Sequence, residues 1–151
     1  MKATRKSINQ FLSSRKIAIA GASRDQKKFG AVVMKELRQK GYDIYPVNPN
    51  CDTIHGDPCF QSVTVLPPDV RNLLVLTPKK QTLKVVQDAV SKGIDNIWIQ
   101  QMSDTREAIA LLEQSNVNAI TGQCILMWAE PVKSIHKFHR TIKQIFGMLP
   151  S

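Results

Sequence analysis

Short apolar runs alternate with helix-patterned stretches along this chain at intervals of roughly 25 residues, and few folds accommodate that rhythm. Lys16–Gly21 (KIAIAG) is a continuous apolar run closed by glycine, the pattern of a strand buried on both faces. A helical stretch follows, with Phe29, Val32, Val33 and Leu37 on one face and Gly41 to end it. Asp43–Val47 (DIYPV) reads as a second strand, and Pro46 places it at an edge or near its own end. Asn48–Gln61 is turn-rich and holds at most a short strand near Thr53–His55. Asn72–Leu76, Asn96–Ile99 and Asn118–Thr121 read as three further strands. Thr77-Pro78 opens a helix carrying Leu83, Val86, Ala89 and Val90, stopped at Gly93. Ser103-Asp104 is expected to cap another, with Glu107 reaching back from its first turn and Ala108, Ile109 and Leu112 as its stripe. The expectation is one α/β domain over residues 1–151, Rossmann-like and doubly wound. Its sheet should be mainly parallel and five- to six-stranded, with helices on both faces.

The net charge of +9 has to be located before it means anything. Residues 1–16 carry Lys2, Arg5, Lys6, Arg15 and Lys16 without an acid, and residues 131–151 carry Lys133, Lys137, Arg140 and Lys143 without one. The stretch between them is neutral, so the basic excess belongs to the ends: a basic N-terminal segment at 1–15 and a C-terminal one. Such ends can attract an anionic partner or simply keep the chain soluble, and they make nucleic-acid binding the weaker alternative. Residues 134–146 read as an amphipathic helix with Ile135, Phe138, Ile142, Ile145 and Phe146 on one face, suited to docking on the sheet or on a second copy. No window approaches about 18 consecutive apolar residues, which argues against a membrane span. The N-terminus lacks a secretory h-region, and three cysteines at no framework spacing suit a reducing, cytoplasmic setting.

The turn after the first strand, Gly21-Ala22-Ser23-Arg24-Asp25-Gln26-Lys27-Lys28-Phe29-Gly30, concentrates the chemistry. In a doubly wound sheet it sits at the carboxyl edge, beside the crevice where strand order reverses. Gly21 permits a tight exit, the amides opening the next helix can hold phosphate oxygens, Ser23 adds a hydroxyl, and Arg24, Lys27 and Lys28 add charge. The G-x-G-x-x-G dinucleotide fingerprint is absent, since Ser23 takes the second glycine's place. The second strand ends Pro46-Val47-Asn48-Pro49-Asn50, without the carboxylate that binds an unphosphorylated ribose. That disfavours NAD and permits a ligand phosphorylated on its ribose, either coenzyme A or NADP.

Gly21-Ala22-Ser23-Arg24, Phe29-Gly30, Gly41-Tyr42, Pro46-Val47-Asn48-Pro49, His55-Gly56, Trp98-Ile99-Gln100 and Cys124 together resemble the small CoA-binding-domain family. That family shares its fold with the CoA-binding domain of the succinyl-CoA synthetase α subunit. The resemblance covers roughly residues 12–150, and the run from Cys124 to His139 is similar to one bacterial branch. It implies CoA or an acyl-CoA across the carboxyl edge of the sheet. Gly21, Ala22, Ser23 and Arg24, with Lys28, Phe29 and Gly30, would surround the pyrophosphate. Val47, Asn48, Pro49 and Asn50 would lie near the adenosine, with Thr77, Pro78 and Gln100 further along. Two positions depart from the pattern: Asp25 lowers the loop's charge, and Asn50 stands where relatives often have lysine. The loop lysines are the candidates to replace that contact.

Cys124 falls just past the last strand's carboxyl end. Two readings stay open, a packing cysteine and a thiol that pairs with the CoA thiol if accessible and partly ionised. Cys51, His55 and Cys59 lack the fourth ligand of a structural zinc site, and His136 and His139 read as helix-surface residues, so no metal is expected. No nucleophile–base–orienter set is legible. The expected function is therefore a non-catalytic CoA-binding or sensing module, able to serve a partner enzyme or to dimerise. An NADP-dependent oxidoreductase is the principal alternative.

Overall fold

The computed structural model describes residues 2–129. Elements follow in the order α1 (Arg5–Leu12), β1 (Lys16–Ala20), α2 (Phe29–Gln39), β2 (Asp43–Val47), β3 (Thr53–Ile54), β4 (Asp57–Pro58), β5 (Asn72–Val75), α3 (Lys79–Lys92), β6 (Asn96–Gln100), α4 (Arg106–Glu113) and β7 (Asn118–Gln123). Five strands form one parallel sheet in the order β2-β1-β5-β6-β7, while β3 and β4 make a separate antiparallel pair. The chain winds outward from β1 to the edge strand β2, then crosses back to place β5 on the other side of β1. Strand order therefore reverses between β1 and β5.

Alternation inside the apolar strands divides the core into two layers. Ile17, Ile19, Leu74, Trp98 and Ile120 face a layer shared with Ile8 and Phe11 of α1 and Val33, Met34 and Leu37 of α2. Ala18, Ala20, Leu73, Val75, Ile97 and Ile99 face the other, with Val86 and Ala89 of α3 and Ala108 and Leu112 of α4. No α-helix lies in the crossover from β2 to β5; the β3–β4 pair and a 3-10 turn at Val63–Val65 take its place.

Two local expectations need correction. Residues 5–12, read as part of a basic segment, form α1, with Thr4 and Ser7 exchanging side-chain-to-backbone bonds at its start. Its basic side chains do not simply extend into water: Arg5 stacks over Trp128, and Arg15, just past the helix, stacks over Tyr42, each 5.1 Å from the ring centre. The cap of α4 is Thr105, whose hydroxyl accepts from the Ala108 amide at 3.1 Å, and not Ser103-Asp104. Thr105 stands immediately before the first helical residue, where an N-cap oxygen reaches the third amide. The amphipathic stretch at 134–146 lies outside the described residues. Among those described, no helix is long and apolar enough to cross a membrane.

Candidate functional site

Gly21 leaves β1 with φ +92°, a conformation that glycine adopts without strain. The same residue packs against the strand beyond the reversal point, because a Cβ there would stand 2.8 Å from the Leu76 carbonyl carbon. The two strand exits on either side of the switch point are thus in backbone contact. Past Gly21 the loop folds on itself: Ser23 Oγ accepts from the Asp25 amide at 3.1 Å and Asp25 Oδ1 from the Lys27 amide at 3.0 Å. Helix α2 then starts with Lys28 at its N-cap, and a lysine side chain has no acceptor to offer the first-turn amides. Helix α3 begins with Pro78 at the same position, again without a side-chain cap. Two helix N-termini, each with the partial positive charge of its aligned peptides, therefore open on the same crevice.

That crevice is a cleft of about 890 Å³ at the carboxyl edge of the sheet. Gly21, Ala22, Ser23, Lys28, Phe29 and Gly30 line it from the first loop, Val47, Asn48, Pro49 and Asn50 from the end of β2, and Thr77 and Pro78 from the end of β5. Asn48 fastens one wall to the other. Its Nδ2 donates to the Ala22 carbonyl at 2.8 Å, and its Oδ1 accepts from the Asn50 amide at 2.8 Å. The side chain expected near a ribose is thus already employed in holding the first loop in place.

Three of the residues expected at the site are not part of the cleft lining. Arg24 is exposed and is not part of the lining. Gln100 is 2% exposed beneath the sheet edge, where its Oε1 accepts from the Ile125 amide at 3.1 Å and fixes the turn after β7. Cys124, for which both readings stood open, is 2% exposed and not part of the cleft lining, and burial pushes its thiol pKa up, against weaker opposing hydrogen bonds from Gln100 and two amides. The packing reading is the one its surroundings support. Cys51 and Cys59 are buried as well, and burial together with the neighbouring Cys51 raises the Cys59 thiol. No group of three metal-ligating side chains comes together among the described residues.

The structure also brings in a wall that sequence reasoning missed. Lys80, Gln81, Lys84, Val85 and Asp88 of α3 line the cleft, as do Gln61, Ser62 and Val63 beyond the β3–β4 pair. Spacing puts the α3 residues on one face, opposite the buried Thr82, Val86 and Ala89. Thr82 anchors that helix by donating its hydroxyl to the Ser103 carbonyl at 2.7 Å. The periodicity was visible in the sequence, but nothing there distinguished a face turned to a cleft from one turned to bulk water.

Comparison with known proteins agrees with this geometry. The chain is 29% identical over 121 residues to an ADP-forming acetate–CoA ligase of Archaeoglobus fulgidus, a match covering 74% of this chain and 18% of that protein. It spans a fifth or less of the length of this and three further ADP-forming acetate–CoA ligases that it matches. Among solved structures, a conserved hypothetical protein from Pyrococcus furiosus superposes with TM-score 0.71 at 40% identity, over 74% of this chain and 96% of that one. A hypothetical protein from Pyrococcus horikoshii does so with TM-score 0.74 at 30% identity, over 83% and 94% respectively. With the CoA binding domain model matched over residues 15–130, a sheet reversing at β1/β5 and a glycine-lined cleft at that reversal, the chain belongs to the CoA binding domain family.

Proposed function

We propose that the cleft holds CoA or an acyl-CoA, with the diphosphate against the N-termini of α2 and α3. The adenosine would lie between the end of β2 and the exposed face of α3. The observation that carries this reading is the meeting of two helix N-termini without side-chain caps in one cleft, with Gly21 and Gly30 admitting close backbone approach. Lys28, Lys80 and Lys84 add cationic side chains to the same lining. Family membership and the likeness to acetate–CoA ligases support the choice of ligand.

The protein would act as a binding or sensing module that serves a partner enzyme, over a single domain spanning residues 1–151. The first loop's hydroxyl, on Ser23, already accepts a local amide, and the buried Cys124 is not part of the lining. Binding to the native state alone raises the unfolding midpoint, by about 2.7 kcal/mol of stability at a hundredfold excess over Kd. CoA should therefore raise the thermal midpoint more than NADPH or NAD at equal concentration. A larger shift with NADPH, abolished by no excess of CoA, would favour the oxidoreductase reading. An absence of any shift at millimolar CoA would defeat the proposal.

A further inference from the structure

The end of β2 brings no charge to the cleft. Asn48, Pro49 and Asn50 are neutral, and the Asn48 amide is engaged with Ala22 and Asn50. Across from them, α3 turns Lys80, Lys84 and Asp88 toward the same space, on successive helical turns. At 1.5 Å per residue, Lys84 stands about 6 Å further along the axis than Lys80. That displacement carries it away from the helix N-termini and toward the C-terminal end of α3, where Lys92 donates to the Thr64 carbonyl at 3.1 Å, and Val63 shares the cleft lining with Lys84. Lys84 Nζ donates to Asp88 Oδ1 at 2.7 Å; the lysine side chain is 75% exposed and the aspartate 24%. The carboxylate is the fixed member of the pair and the ammonium the movable one.

Resting on the CoA reading above, we infer that Lys84 is the specificity residue for a phosphate monoester on the ligand's ribose, and that Asp88 competes with that phosphate for it. A phosphate monoester carries more negative charge than a carboxylate and accepts through three oxygens, so it draws the ammonium away from Asp88. A ligand lacking this group leaves the Lys84–Asp88 pair intact and gains nothing from Lys84. Lys84 thus supplies the discrimination, and Asp88 moderates it by holding the ammonium and repelling the phosphate. Lys28, at the start of α2, sits with the diphosphate and does not take part in the discrimination.

The test is calorimetric titration of the full chain with CoA and with 3′-dephospho-CoA. The wild-type protein should prefer CoA by roughly tenfold or more, the scale of one charge-assisted contact. Lys84→Gln should bring the ratio to within about threefold by weakening CoA alone, Lys84→Arg should restore it, and Asp88→Asn should raise it. Lys28→Gln should weaken both ligands alike and leave the ratio unchanged. Equal affinity of the wild type for the two ligands, or an unchanged ratio in Lys84→Gln, would overturn the inference while leaving the proposed function standing. Failure of the wild type to bind either ligand would remove the proposed function, and this inference with it.

Discussion

A Cβ on Gly30 would lie 2.4 Å from the carbonyl oxygen of Gly21. The first turn of α2 is therefore pressed directly against the exit of β1, and this contact brings the helix N-terminus to the sheet edge. Gly30→Ala must push the helix or the loop aside, since the atom it meets is backbone and not a flexible side-chain end. Overpacking of this kind costs about 1–3 kcal/mol. Urea unfolding should show a loss of that order, and calorimetry a weaker CoA interaction, because the amides proposed to hold the diphosphate are displaced. Gly21→Ala should be at least as damaging, as it combines a clash with Leu76 with an unfavourable positive φ.

Asn48 offers a separate handle on the loop. Replacing it with aspartate removes the donor to the Ala22 carbonyl and sets a carboxylate beside that oxygen, while the acceptor for Asn50 remains. The first loop should loosen, and the new charge should repel a phosphorylated ligand. We expect CoA affinity to fall by roughly tenfold or more, with a stability loss of about 1–3 kcal/mol. If CoA bound Asn48→Asp as tightly as wild type, the cleft would not be the ligand's place.

The strands and the first loop were readable because their signals are local. KIAIAG is apolar, short and ended by a glycine whose positive φ the turn requires, and it became β1 with Gly21 at φ +92°. Helix α1 was not readable on the same terms. Its two buried core residues, Ile8 and Phe11, with the partly buried Leu12, sit in a stretch of only eight helical residues whose remainder is polar or basic, below the length at which periodicity speaks. What makes it a helix is tertiary: Phe11 packs edge-on against Trp98 at 5.3 Å, nearly 90 residues away. The α3 wall of the cleft escaped for a different reason. Lys80, Lys84 and Asp88 look like a solvated helix face, and only the sheet order decides that this face borders the crevice. Gln100 and Cys124 were placed correctly near the carboxyl ends of strands, yet strand-end position does not reveal whether a side chain points to the cleft or under it.

At the opposite edge of the sheet, α1 is held by a row of asparagines in register, Asn72, Asn96 and Asn118. Asn96 Nδ2 donates to Asn72 Oδ1 at 2.8 Å and Asn118 Nδ2 to Asn96 Oδ1 at 3.0 Å. Asn72 also donates to the Phe11 carbonyl at 2.6 Å and Asn118 to that of Ser7 at 2.9 Å. Asn72→Leu leaves the buried Phe11 carbonyl and the Asn96 amide without these partners, at a cost of about 1–3 kcal/mol for each group left unpaired. Phe11→Ala, emptying a fully buried ring site, should cost about 3–5 kcal/mol. Neither position touches the cleft, so CoA affinity measured on the folded fraction should stay near the wild-type value. A strong loss of affinity in a still-folded Phe11→Ala protein would show that the N-terminal helix reaches the site after all.

Burial of Cys124 fixes both its reactivity and a piece of the pH dependence. Its thiol is 2% exposed and its pKa is raised above the ordinary 9.0, burial being the main cause. In the unfolded chain the thiol ionises near that ordinary value, while in the fold it keeps its proton to higher pH. Below about pH 9 both states are protonated and the group is neutral in the balance; as pH rises from there toward the folded pKa, the unfolded state loses its proton first and is favoured. Stability should therefore decline across this alkaline window, with Cys59, raised in the same direction, adding to the slope. Urea midpoints compared between about pH 8 and about pH 10 should fall for wild type and fall less steeply for Cys124→Ala. At about pH 8 a disulfide reagent should modify Cys124 only as fast as the fold opens, because the reactive thiolate is both scarce and enclosed. Rapid, ligand-protected labelling of this residue under native conditions would place the thiol at the cleft and restore the pairing with the CoA thiol that its burial argues against.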